Sequence, residues 1–251
     1  MTSSVAEPSR PTPVVLVPGF SGGGAEYAFV QPMLARRGPA VVVDLEGADP
    51  ADLAALVGRV AEVVRAQADP VVLVGASSGA LVATAVAAAE PRVRGLVLLG
   101  GWVTPDARLR EGLDLLLAVG ERSPDLLPAL ARLLLLSPSA TAAPGAPLLT
   151  ADPPTTARIA AARSLDVSRA GEAAPGTGAW TTPTLVVAGS ADALVSPALT
   201  QELVGSFDDV RYAVLDAGHA LLTERPAEVL ALVEAFVDGR VDPGAVPAVQ
   251  V

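Results

Sequence analysis

Cysteine, lysine and asparagine are absent from the 251-residue sequence, and histidine and isoleucine occur once each, as His219 and Ile159. Without cysteine there is no disulfide, no thiolate nucleophile and no cysteine-ligated metal, and a lone histidine removes every multi-histidine metal site. No metal and no cofactor is therefore expected. Positive charge is also scarce, since 17 basic against 27 acidic side chains leave a formal net charge of −10. A surface of that sign repels phosphate backbones and anionic membranes, so nucleic acid is not an expected partner. Long apolar runs are missing too. The most apolar stretch, residues 126–136, is too short to span a bilayer and carries Pro128 and Arg132. The first thirteen residues hold Glu7 and three prolines where a secretory signal would need an apolar core. A cytoplasmic protein with no membrane span is expected. The missing lysine and asparagine fit a GC-rich gene and carry no functional meaning, and nothing in the sequence fixes an oligomeric state.

What is present is apolar: 51% of the residues are hydrophobic, and the length allows a full core in one large domain or two small ones. Short β-branched runs at 14–17, 40–44, 71–75, 93–99, 184–188 and 211–215 read as strands. Ala-rich stretches at 25–37, 51–67, 78–90, 197–205 and 226–237 read as helices between or after them. That alternation predicts an α/β fold, a mostly parallel sheet of six strands covered by helices on both faces. Residues 102–182 break the rhythm with Leu-rich helical patterns at 108–119 and 124–136, Pro/Gly clusters at 141–154 and 173–178, and a further helix at 155–168. The expected organisation is a loose arm at 1–13, a core of 14–101 and 183–238, a helical insertion at 102–182, and a loose tail at 239–251.

One stretch carries chemistry. Val71-Val-Leu-Val-Gly75-Ala-Ser77-Ser-Gly79 sets a G-x-S-x-G between a buried strand and an Ala-rich helix, the context of a nucleophile elbow. The pattern alone is weak, because Gly19-Phe-Ser21-Gly-Gly23 also fits; but that second match opens into more glycine instead of a helix. Ser77 is the candidate nucleophile. A serine hydroxyl needs a base, and His219 lies in Leu215-Asp-Ala-Gly-His219, on the loop after the last strand. The base needs an orienting carboxylate, and Asp192 stands just beyond the strand at 184–188, with Asp216 and Asp106 as rivals. Two backbone amides should receive the oxyanion: that of Ser78, after the nucleophile, and one from the loop after the first strand, for which Phe20 is the choice.

These residues together resemble the α/β-hydrolase superfamily: a strand followed by Pro18-Gly19-Phe20, the elbow Gly75 to Gly79, the acid Asp192 and the base in Gly218-His219. The likeness runs from about Val14 to Val237, begins almost directly on the oxyanion strand, and in this looks like the compact esterase branch that lacks an N-terminal hairpin. It departs from the common pattern at Pro18, where His is familiar, and at Ala76, which a His often occupies. The resemblance implies acyl-bond hydrolysis through an acyl-enzyme on Ser77, with the insertion as a cap. Its leucines, Leu113, Leu117, Leu127 and Leu130 among them, either point to a mainly apolar small-molecule substrate or are simply the cap's own core. Phe20 and Trp102, both at strand ends, are expected to line the pocket. The superfamily also holds cyclases, lyases and hydrolase-like sensors, and the Ser/Asp/His order alone does not separate them from an ester, thioester or lactone hydrolase.

Overall fold

The structure is a computed structural model that describes residues 11–20, 24–142, 148–149, 153–167 and 180–240. The expected arms fall largely on 1–10 and 241–251, and the rival Ser21 on 21–23, outside the described residues, as do much of the Pro/Gly cluster at 141–154 and all of that at 173–178. Residues 11–13 meet the sheet, where the Val72 amide donates to the Pro13 carbonyl at 3.0 Å.

The apolar runs form β1 (Val14–Val17), β2 (Ala40–Val42), β3 (Val71–Ala76), β4 (Val93–Leu99), β5 (Thr184–Gly189) and β6 (Val210–Leu215). They pair in parallel in the order β2-β1-β3-β4-β5-β6. Alternate residues of a strand face opposite sides, and in β1, β3, β4 and β5 both sides are buried. Val15, Leu73, Leu98 and Val186 join one core, while Leu16, Val74, Val97 and Leu185 join the other. A strand buried on two faces has no polar alternation to show, which is why these four read as nearly unbroken runs, whereas the edge strands β2 and β6 are only partly buried.

The helices are α1 (Val30–Leu34), α2 (Leu53–Arg65), α3 (Ser78–Ala89), α4 (Ala107–Arg122), α5 (Leu127–Leu135), α6 (Pro138–Ala142), α7 (Pro153–Ala162), α8 (Pro197–Gly205), α9 (Leu221–Glu224) and α10 (Pro226–Val237). The first core is covered by α2, α3, α8 and the inserted α4, α5 and α7; the second by α1, α9 and α10. Two expected helices are broken, each by a proline. One helix over 25–37 would put Pro32 in its interior, without an amide and against a carbonyl four residues back. Instead, the chain makes a 3-10 turn at Ala25–Tyr27 and restarts as α1, so that Pro32 falls in a first turn. Pro128 divides 124–136 in the same way, into a 3-10 turn at Pro124–Leu126 and α5. The last inserted helix runs Pro153–Ala162, earlier than the 155–168 expected.

From β1 the chain steps out to β2, then crosses back to place β3 on the other side of β1. In a parallel sheet a crevice opens beyond the carboxyl ends of the strands where the order reverses. That crevice lies above β1 and β3.

Candidate active site

Ser77 directly follows β3, at the crevice. Its backbone is held at φ 52° and ψ −124°, and it is the one non-glycine residue at positive φ among the described residues. A side chain in that region costs on the order of 1–3 kcal/mol, so the surroundings must impose it. They do so by close approach. A Cβ on Gly75 would lie 2.5 Å from the Gly79 carbonyl oxygen, and one on Gly79 would lie 2.5 Å from that of Pro18. Only glycine at both positions lets β3 turn into α3 hard against the loop after β1. The Ser77 amide donates to the Leu99 carbonyl at 2.8 Å, which pins the elbow to β4.

His219 must reach Ser77 from the loop after β6, three strands away, or roughly 14 Å at the spacing of a sheet. The loop therefore crosses the ends of β5 and β4. Gly100, at φ 59°, leaves room for it: a Cβ there would meet His219 Cε1 and Nδ1, each at 3.2 Å. The imidazole then stands with Nε2 2.9 Å from Ser77 Oγ and Nδ1 2.8 Å from Asp192 Oδ2. A carboxylate only accepts, so Nδ1 carries the proton and Nε2 is left to accept from the serine hydroxyl. Asp192 follows β5, and its other oxygen accepts the amides of Leu194 at 2.9 Å and Val195 at 2.8 Å. The side chains of His219 and Asp192 are only 5% and 4% exposed. Burial pushes the imidazole pKa down, but the charge and hydrogen bond of Asp192, with the charge of Glu26, outweigh it and hold His219 above its ordinary 6.5.

The rival acids are engaged elsewhere. Asp106 caps α4 by accepting the Leu109 amide at 2.7 Å, and the exposed Asp216 pairs with Arg225. Phe20 and Ser78 lie where expected, on the loop after β1 and at the start of α3. Neither amide donates to any described residue. A cavity of about 670 Å³ opens on Gly19, Phe20, Ala76, Ser77 and His219, and its apolar wall includes Leu99, Leu135, Leu136, Leu148, Leu149 and Leu222.

Trp102 corrects an expectation. It is fully buried in the first core and is not part of the cavity wall. Gly100 and Gly101 carry the chain past the sheet end so tightly that a Cβ on Gly101 would lie 2.7 Å from Ala80 Cβ, and the indole turns inward. Leu99 meets the cavity in its place. For the four leucines of the insertion the core reading holds: Leu113 and Leu127 are fully buried in it, and Leu117 and Leu130 pack on it.

Two carboxylates of the site were not foreseen. Glu26 lines the cavity and accepts the Gly19 amide at 2.7 Å, bracing the loop that carries Phe20. Glu224 lines it on the side of the inserted helices. The sequence offers only weak signals for them: one acid just past a glycine run, and one five residues beyond the sole histidine.

The sequence model of the alpha/beta hydrolase family matches residues 14–232. The chain belongs to this family. Among solved structures, this alpha/beta hydrolase is similar to an esterase from Exiguobacterium antarcticum, at 15% identity and a TM-score of 0.75, over 92% of this chain and 93% of that one. A thermophilic esterase from Thermogutta terrifontis matches at 22% identity and a TM-score of 0.74, over 92% and 91% of the two chains. The enol-lactonase from Burkholderia xenovorans LB400 matches at 17% identity and a TM-score of 0.75, over 93% of each. At such identities the likeness is one of fold. No curated protein matches the sequence. No helix among the described residues is long and apolar enough to cross a membrane.

Proposed function

We propose that this alpha/beta hydrolase is a serine hydrolase that cleaves a carboxylic ester, thioester or lactone of a mainly apolar small molecule. One observation carries the reading: the continuous hydrogen-bond chain from Ser77 through His219 to Asp192, at 2.9 and 2.8 Å, with the serine opening on a large apolar cavity. An esterase and a lactonase among the similar structures act on the same class of bond. His219 Nε2 takes the hydroxyl proton as Ser77 Oγ attacks the acyl carbon, and the amides of Phe20 and Ser78 receive the oxyanion. The imidazolium, held by Asp192, then gives its proton to the departing alkoxide or thiolate, leaving an acyl group on Ser77. Water, deprotonated by His219, attacks that ester, and collapse of the second tetrahedral species releases the acid and restores the serine. The inserted helices act as the cap, with Phe20 and the leucines of the cavity wall taking the apolar part of the substrate.

A fluorophosphonate probe should label the wild type and not Ser77→Ala, and a series of nitrophenyl esters should turn over many times per enzyme. Labelling that survives Ser77→Ala overturns the nucleophile, and an unlabelled wild type without turnover overturns the hydrolase reading.

A further inference from the structure

Glu224 lies in the last turn of α9, five residues after His219, and the steps above do not use it. Its carboxylate takes three donors. Oε1 accepts the Gly218 amide at 2.8 Å and the Ser137 amide at 3.0 Å, and Oε2 accepts the Ser137 hydroxyl at 2.5 Å. Gly218 is the residue before His219, and Ser137, itself 2% exposed, joins α5 to α6. One side chain thus ties the loop of the base to the inserted helices. A second tie lies beside it, where the Ala220 amide donates to the Leu135 carbonyl at 2.8 Å. His219 is therefore flanked on both sides by residues tied to the same segment, Gly218 through Glu224 and Ala220 directly. Packing there leaves no slack, since a Cβ on Gly218 would lie 2.6 Å from the Leu136 carbonyl carbon and the Ser137 nitrogen.

We propose that Glu224 is a positioning residue: it fixes the backbone on which His219 turns and locks the α5–α6 junction to it, so that base and cap move as one unit. The inference rests on His219 being the base of the proposed reaction. The imidazole must satisfy Asp192 and Ser77 at once, and a misplacement of 1 Å in such an array costs about a hundredfold in rate. The three donors are matched to a carboxylate of this reach. Glutamine keeps an oxygen for the two amides, whereas aspartate keeps the charge but is one methylene shorter.

The test uses Glu224→Ala, Glu224→Asp and Glu224→Gln in the full chain. Glu224→Ala and Glu224→Asp should label with fluorophosphonate at least about tenfold more slowly than wild type and lose kcat on a nitrophenyl ester with little change in KM. Glu224→Gln should stay within about fivefold. A second readout does not depend on turnover. The proton on Nδ1 of His219, hydrogen-bonded to Asp192, should give a downfield resonance that belongs to the only histidine in the chain. It should persist in Glu224→Gln and broaden or vanish in Glu224→Asp. If Glu224→Ala does not fold, the aspartate and glutamine variants carry the test. Aspartate behaving as wild type, or glutamine as impaired as aspartate, overturns the proposal. A wild type that never labels overturns the hydrolase reading instead, and the resonance still decides the role of Glu224.

Discussion

His219 shows how burial and charge oppose each other at one side chain. Desolvation favours the neutral ring, and Asp192 and Glu26 favour the cation strongly enough to win. As a base the ring must be neutral, so the acidic limb of kcat/KM should lie above pH 6.5. Changing Asp192 to Asn removes the principal raising interaction; burial then prevails against Glu26, and the His219 titration followed by proton NMR should move down. The rate should fall by roughly 10³–10⁴, because Asn also permits the wrong tautomer. The sign carries into stability. A folded-state pKa raised above the unfolded value contributes stability that is fully present below the unfolded pKa of about 6.5 and is lost as pH rises through the folded one. Melting temperatures of wild type and Asp192→Asn should therefore differ most near pH 5.5 and converge as the pH rises. A gap that widened with pH would contradict the assignment.

At the scale of elements, the elbow and the helices make opposite demands on glycine. Gly79→Ala would force a methyl against the Pro18 carbonyl, and should destabilise by about 1–3 kcal/mol or more while displacing Ser77 and abolishing turnover. Gly58 lies on the exposed face of α2, and a methyl added there would meet nothing within 4 Å, so Gly58→Ala should stabilise by about 0.5–1 kcal/mol in urea unfolding and leave activity alone. The same contrast explains what could be read from the sequence. The four central strands were legible because burial on two faces leaves nearly unbroken apolar runs, the edge strands β2 and β6 because of their β-branched residues, and the elbow because its glycines answer to local sterics. The splitting of 25–37 and 124–136 was visible in principle, since Pro32 and Pro128 are interior prolines, but Ala and Leu periodicity masked them. The single-turn helices α6 and α9 are too short to show a period. Trp102 was misplaced because a strand end says that a residue is near the crevice, not which way its side chain turns. Glu26 and Glu224 were illegible for a related reason: each accepts from backbone amides, which have no letter in the sequence, and the one side-chain donor to Glu224 among the described residues, Ser137, lies 87 residues away.

For the molecule as a whole, the helices of the insertion, proposed above as the cap, are also part of the first core. Leu113 is fully buried, shares that core with β1, β3, β4 and β5, and does not touch the cavity. Leu113→Ala should therefore cost about 2–5 kcal/mol in denaturant unfolding and leave KM across a nitrophenyl ester series unchanged. A shift in chain-length preference with no loss of stability would mean that this leucine meets substrate. The distance along the chain between Ser77 and His219, 142 residues, has a consequence in time. The elbow is complete once β3 pairs with β4, whereas the imidazole arrives only with the loop after β6. A partly folded or partly synthesised chain can thus hold a strained serine with no base beside it, and reactivity toward a phosphonate becomes a clock that starts only when the last strand docks.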